Sequence, residues 1–410
     1  DDLSFINLGT GRTIHPTLPV EKAISMQTNN VCAILDDNSA KCWGRNDRGK
    51  GGHGNQTTYG DGANETGDNL PTLNFGADYP TQIAAGYQHS CALLNTGDVK
   101  CWGENGYGQL GIGSTSDQIK TPNNVATVDL GTGRTAVAIA TGYYHTCAVL
   151  DNGNIKCWGR NNYGQLGLGF TTTLGDGASE MGDNLPAVDL GSGVTAKDVV
   201  TQGYSTCAIL NDDSVKCWGY NAYGNLGVGS TATIGDGAGE MGDVLQPVNL
   251  GAGRTVKKLT AGNEQVCAIL DNDQAKCWGR NRFAQLGAGH RYDIGESPFS
   301  MGDNLSPISL GSGLSVLSVQ ASEHSACAVL NNNSLKCWGI DYYGSRGSGK
   351  SFIGDRSSEM GSSLASLDLS TRSFKKVSSD VYVTCGQTFD NLLTCWGYGG
   401  EGSRASGDGS

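Results

Sequence analysis

Cys147-Ala148-Val149-Leu150-Asp151-Asn152-Gly153-Asn154-Ile155-Lys156-Cys157-Trp158-Gly159 is a short apolar run, a polar turn and a second short run, bracketed by cysteines ten residues apart. The pattern occurs seven times. Cys-Trp-Gly begins at Cys42, Cys101, Cys157, Cys217, Cys277, Cys337 and Cys395, and ten positions before each stands Cys32, Cys91, Cys147, Cys207, Cys267, Cys327 or Cys385. These positions use all 14 cysteines and all 7 tryptophans. Antiparallel strands joined by a short turn place residues i and i+10 opposite each other, about 4.5–5.5 Å apart at Cα and within disulfide reach. The spacing therefore predicts seven bridges within hairpins, Cys32–Cys42, Cys91–Cys101, Cys147–Cys157, Cys207–Cys217, Cys267–Cys277, Cys327–Cys337 and Cys385–Cys395. A metal reading would need a C-x2-C pair or cysteines beside histidine, and neither spacing occurs. Seven bridges require an oxidising compartment. Each closes a short loop and contributes about 2–3 kcal/mol, fixing hairpin register more than creating the fold.

Composition agrees with many short strands and tight turns. Gly reaches 63 of 410 residues, Pro only 9, and charged residues 17%. Glycine takes positive φ at no steric cost and so serves turns. The longest apolar runs fall well short of the ~18–20 residues of a spanning helix. No signal peptide is visible, and the chain opens at Asp1 within what reads as a strand, so the leader expected of an exported protein lies outside these residues. The net charge of −12, with basic residues dispersed, predicts no nucleic-acid partner and no membrane insertion.

Each unit reads as four short strands: an outer strand such as Val188–Gly191, a β-branched strand near Val199-Val200, and the two hairpin strands, followed by a Gly-rich segment (Asn221 to Gly227) and a long loop. Four short strands per unit make a propeller blade. The run from Gly142 to Gly169, GYYHTCAVLDNGNIKCWGRNNYGQLGLG, resembles the repeat of the RCC1 (regulator of chromosome condensation) superfamily. The resemblance covers nearly the whole chain and implies an all-β, seven-bladed β-propeller. The cysteines depart from the nuclear member and look like secreted or surface-attached repeats of this type. Outer strands are expected at Ile6–Gly9, Leu73–Gly76, Val128–Gly131, Val188–Gly191, Val248–Gly251, Ile308–Gly311 and Leu367–Ser370. Residues 1–410 thus read as one propeller of four-stranded blades, in which Ile6–Gly9 completes the last blade and removes an exposed edge. The first and last units are degenerate, with Arg48 to Gly52 and Gly400 to Ser403 in place of the YGQLG segment, and they flank that seam.

Candidate sites are few. Gly344 to Ser351 fits G-x4-G-K-S, but no helix follows to face a phosphate, so the match is read as a coincidence. An acidic loop recurs around Asp61, Asp176 and Asp236, and Asp176, Glu180 and Asp183 make a weak Ca²⁺ set. The favoured alternative is a Gly-Asp turn whose carboxylates cap backbone N–H groups. Position +6 after the second cysteine is aromatic at Tyr107, Tyr163, Tyr223, Phe283 and Tyr343, read first as packing against the next blade and second as a contact surface. Sequons stand at Asn55, Asn64, Asn304 and Asn332 as glycosylation candidates. The histidines do not cluster, and no hydrolase or metalloprotease motif is present. The reading is a non-enzymatic extracellular structural or interaction protein without a cofactor. It presents loops to other proteins, to copies of itself in a surface layer or filament, or to glycans. The alternative is a recognition module, a lectin or a protein-binding inhibitor. Guanine-nucleotide exchange, which the resemblance would imply, is disfavoured by the acidic balance and the cysteines.

Overall fold

The computed structural model describes residues 4–347, 352–367 and 372–405. Among these the chain forms seven antiparallel sheets, each built from consecutive strands. The innermost strands are Ile24–Gln27, Pro80–Ala85, Ala136–Thr141, Ala196–Gln202, Val256–Ala261, Val316–Ala321 and Phe374–Ser379. They define blades 1 to 7. Each is followed by the two strands of the cysteine hairpin, in blade 3 His145–Leu150 and Ile155–Gly159.

Hairpin register follows from turn chemistry. The third turn residue has positive φ in all seven hairpins, and it is Asn38, Gly97, Gly153, Asp213, Asp273, Asn333 or Asn391. Gly, Asn and Asp tolerate that conformation best. With the turn fixed, Cys147 lies directly opposite Cys157, and the corresponding cysteines are opposed in every hairpin. All seven bonds are formed, with Cα–Cα distances of 4.0–4.1 Å.

The blades are three-stranded rather than four-stranded, except that blade 6 gains Phe352–Ile353. Each expected outer strand shrinks to one ladder bond. Val188 N–H donates to Ile155 O (2.8 Å), Val248 to Val215 O (2.7 Å) and Leu367 to Leu335 O (2.8 Å). The reason lies in the next residues. Asp189 Oδ1 accepts the Gly191 N–H at 2.9 Å, and Gly191 sits at φ 105°. A side chain that bonds its own backbone two residues on competes with the ladder and turns the chain away. Asn7 with Gly9, Asn74 with Gly76, Asp129 with Gly131 and Asn249 with Gly251 repeat the device. Ile6 makes the equivalent bond to Leu393 O (2.8 Å). Residues 368–370 of the last expected outer strand lie outside the described residues.

The apolar core sits between blades, with each buried tryptophan at its centre. Trp218 of blade 4 packs in one cluster with Leu166, Val188 and Leu190, which precede it in the chain. The seven innermost strands line one hub cavity of about 290 Å³. In blades 2 to 7 each innermost strand has a one-residue bulge near its start, as between Ala136 and Ala138. A bulge adds one residue and bends the strand locally.

Candidate interaction face

Three repeated contacts hold the loops in place. The first is the disulfide. The second is the lysine before each second cysteine. Lys156 Nζ donates to Leu130 O (3.0 Å) and Gly182 O (2.7 Å), and Lys216, Lys276 and Lys336 bond the equivalent carbonyls. Burial pulls their pKa down, while the carbonyls replace the lost water. Blade 7 has Thr394 at this position, bonded to Ser4 O. The third contact is the indole. Trp158 Nε1 donates to Gln109 O of the preceding blade at 3.0 Å, and Trp102, Trp218, Trp278 and Trp338 make the same bond to Lys50, Gln165, Asn225 and Gln285.

With the blades registered in this way, the turns joining innermost and second strands converge at one mouth of the hub. They carry Tyr87, Tyr143, Tyr144, Tyr204, His324 and Tyr382. The +6 aromatics reach the same rings from the preceding blade: Tyr107 to Tyr144 (5.2 Å between centroids), Tyr163 to Tyr204 (5.4 Å), Phe283 to His324 (4.5 Å) and Tyr343 to Tyr382 (5.7 Å). Tyr223 instead contacts Tyr220 of its own blade, at 6.4 Å. The Arg160 guanidinium lies over Tyr107, Tyr144 and Tyr204 at 5.0, 5.8 and 5.2 Å, and Arg280 lies over Tyr223 at 4.6 Å while pairing with Glu264. Such stacking is worth about 0.5–2 kcal/mol, depending on desolvation. Tyr343 is 67% exposed.

The electrostatics of this mouth are uneven. Burial pushes the Tyr143 hydroxyl strongly up, and the nearby Glu323, Asp380 and Glu264 add to the effect. Burial and neighbours, Glu104 foremost, push Tyr144 up to about 12. Glu323 is raised by burial and then by Asp380 and Glu264. Tyr143 of blade 3 thus feels carboxylates of blades 5 to 7.

The acidic loops pack against the glycines that follow the +6 aromatics, Asp176 against Gly108 and Asp236 against Gly164. Glu180 Oε2 accepts the N–H groups of Gly175 (2.9 Å) and Gly177 (2.7 Å). Glu65 and Glu240 cap their loops likewise. Asp183 bonds Thr132 of the preceding blade, at 2.9 Å to its N–H and 2.6 Å to its hydroxyl. Asp176, Asp61 and Asp236 each lie against the loop glutamate and, by burial and that contact, are raised. Asp176, Glu180 and Asp183 are therefore not gathered around one point, and among the described residues no group of three or more His, Cys, Asp or Glu could hold a metal.

Of the sequons, Asn64, Asn304 and Asn332 are exposed and Asn55 is half-buried. Asn332 Oδ1 accepts both the N–H and the hydroxyl of Ser334. Gly344–Gly347 forms a turn closed by Gly347 N–H to Gly344 O (2.8 Å), and residues 348–351 lie outside the described residues. His89 and His145 are buried and bond Thr146 and Thr206 of the next blade. Among the described residues no helix is long and apolar enough to cross a membrane. The inner-turn tyrosines and the lysine clamps were not singled out in the sequence. Their signals were the Gly-Tyr before the first cysteine, at Tyr87, Tyr143 and Tyr204, and the lysine before the second cysteine in six units.

Comparison with known proteins supports the same assignment. The model of the regulator of chromosome condensation (RCC1) repeat matches residues 42–93 and 96–149, and a second model of that repeat matches 81–109 and 136–165. The ultraviolet-B receptor UVR8 of Arabidopsis thaliana is 28% identical over 315 residues, covering 75% of this chain and 62% of that protein. The mitochondrial RCC1 domain-containing protein RUG3 of the same plant is 30% identical over 250 residues, covering 60% and 51%. The chain therefore spans less than two thirds of the length of these relatives. Among solved structures, one chain of the crystal structure of Kap60 bound to yeast RCC1 (Prp20) superposes with TM-score 0.66 at 17% identity, covering 98% of this chain and 84% of that one. Human WBSCR16 superposes with 0.64 at 17% identity, covering 92% and 88%. At that identity the likeness is one of fold, an RCC1-like propeller. Residues 42–165 match the RCC1 repeat, and the same cysteine hairpin recurs in all seven blades with a disulfide in each.

Proposed function

We propose that this chain is a protein-binding propeller of an oxidising, extracellular setting, engaging its partner through the aromatic mouth. The convergence of inner-turn tyrosines, +6 aromatics and the stacked Arg160 on one face carries the reading, because aromatic side chains with arginine are enriched at the centres of protein interfaces. The yeast protein Prp20, similar in fold, is bound by Kap60 and has binding properties toward Gsp1p and histones. A protein partner is the shared element brought here, and the particular partners are not. Seven disulfides support export, since thiols in reducing compartments stay unpaired. Residues 1–410 act as one ring, which the Ile6 and Ile14 bonds to Leu393 and Asn391 support as its point of closure. A structural role beside copies of itself is the form of interaction favoured by the bridged, rigid blades.

The test is cross-linking of the native protein to its neighbours, repeated with Arg160→Ala and Tyr343→Ala. Loss of the cross-links with unchanged melting temperature supports the reading. Retention of every cross-link in both variants removes the aromatic face from it, and capture of glycans with no protein would make the module a lectin. Free thiols in the protein taken from its source would overturn the extracellular placement.

A further inference from the structure

Blade 1 departs from its sisters at the opposite mouth of the hub. In blade 3, Ala136 pairs with Leu150 and Ile139 with Ala148, leaving two residues, 137 and 138, between. In blade 1 the equivalent pairs are Ile14 with Leu35 and Ile24 with Ala33, leaving nine residues, 15 to 23. Seven extra residues have grown out of the bulge position. They form a compact turn. His15 Nδ1 accepts the Leu18 N–H (3.2 Å), and the one-turn helix α1 (Val20–Ala23) closes on Pro19 O through Lys22 and Ala23 (2.9 Å each).

This segment lies across the hub. Glu21 and Lys22 line the same cavity as the seven innermost strands. Glu21 bridges Lys258 of blade 5 (3.0 Å) and Lys376 of blade 7 (3.3 Å), and Lys22 Nζ donates to Val137 O of blade 3 (3.3 Å). Its polar attachment to three other blades is electrostatic, while Leu18 rests on the apolar core and His15 Nε2 meets Asn38 Oδ1 of its own blade at 3.1 Å. Half of the Glu21 side chain remains open to solvent, so the pairs are screened and individually weak.

We propose that residues 15–22 are a releasable plug: latched by Glu21 they close one mouth of the hub cavity, and unlatched they swing out as a unit on the Ile14 and Ile24 ends, opening the cavity through both mouths. Prolines 16 and 19 and the His15 bond keep the unit rigid, so release leaves the seven sheets in place. The charged groups facing Glu21 are Lys258 and Lys376, with Asp198 within range of Glu21, Lys22 and Lys258. Burial alone would raise Glu21, but the two lysines outweigh it and hold the carboxyl below its usual range. The latch therefore stays charged at neutral pH and is lost only as pH falls below the usual carboxylate range, through that lowered value. Salt is the milder lever.

Limited trypsin digestion read by mass spectrometry tests the plug, following cleavage after Lys22 alongside amide exchange of 17–22 and of Cys207–Leu210. Glu21→Gln, Lys258→Met and molar NaCl on the unaltered chain should each speed cleavage after Lys22 by about 3- to 10-fold and leave exchange at Cys207–Leu210 unchanged. If Glu21→Gln fails to fold, Lys258→Met and the salt series give the same readout. Cleavage indifferent to all three, or rising only together with exchange at Cys207–Leu210, overturns the proposal.

Discussion

The seam between blades 2 and 3 and the seam between blades 7 and 1 use the same peg and different polar layers. In the first, Trp158 donates to Gln109 O, and the Thr146 hydroxyl accepts from His89 Nε2 (2.9 Å) while donating to Gln109 O (2.8 Å). Every group is neutral. In the second, Trp43 donates to Ser403 O (3.1 Å), and the rest is charged: Asn29 N–H meets Asp380 Oδ2 (2.9 Å), Asn29 Nδ2 meets Glu401 (3.0 Å), and Arg45 approaches Glu401 (3.9 Å). Lys50, fully buried where other blades place Gln109 or Gln165, lies one seam on, between blades 1 and 2, where it caps Thr28 O and Tyr87 O within reach of the Asp380 charge. Blades 2 and 3 thus meet through neutral groups, and blades 7 and 1 through charged ones.

The largest test of that contrast removes the shared part. Trp158→Ala and Trp43→Ala should each cost about 3–5 kcal/mol in denaturant unfolding with the disulfides intact. Unequal costs would mean that the pegs are not equivalent. Next, Asp380→Ala removes the charged acceptor of the buried Asn29 N–H and should cost about 1.5–3 kcal/mol, whereas Thr146→Ala removes one neutral hydroxyl and should cost about 0.5–1.5 kcal/mol. Reversal of that order would sink the assignment of charge to one seam.

Seams that bury a histidine and the seam that buries Lys50 should also answer pH in opposite ranges. Burial, aided at His89 by His145 and Lys50, holds both histidines down to about 3. The unfolded chain then takes protons that the native one refuses, so stability is full above about 6.5 and falls as pH drops toward 3, by up to about 1.4 kcal/mol per unit per histidine. His145→Gln, the residue blade 5 carries as Gln265, should flatten the melting curve across that window. Lys50 is lowered by burial to about 8, so the native state sheds its proton first and stability rises between pH 8 and 10.5, a rise that Lys50→Met should abolish. The smallest effect is at the rim. Glu180→Gln weakens two loop bonds at about 1 kcal/mol or less, and millimolar Ca²⁺ should leave the melting temperature of the parent chain unmoved.

The hairpins were the most legible part of the sequence, because a cystine and a turn that demands positive φ fix a register within a dozen residues. The outer strands misled because Val-Asp-Leu-Gly has strand propensity, while the Asp carboxylate bonding its own Gly N–H is a local choice that a pattern of apolar residues does not record. The inner-turn tyrosines sat beside the cysteines in plain view, but the faces they share depend on where seven distant turns converge. The insertion at residues 15–22 shows only when blade 1 is aligned pairing by pairing with blade 3, since its residues carry no motif.

The indole bonds give the ring a direction. Every tryptophan from Trp102 to Trp338 reaches back to a unit already synthesised, so each emerging blade finds its acceptor waiting as it leaves the ribosome. Trp43 alone reaches forward, to Ser403. The indole bond of the first unit thus spans 360 residues, and until Ser403 is translated that N–H is left to water.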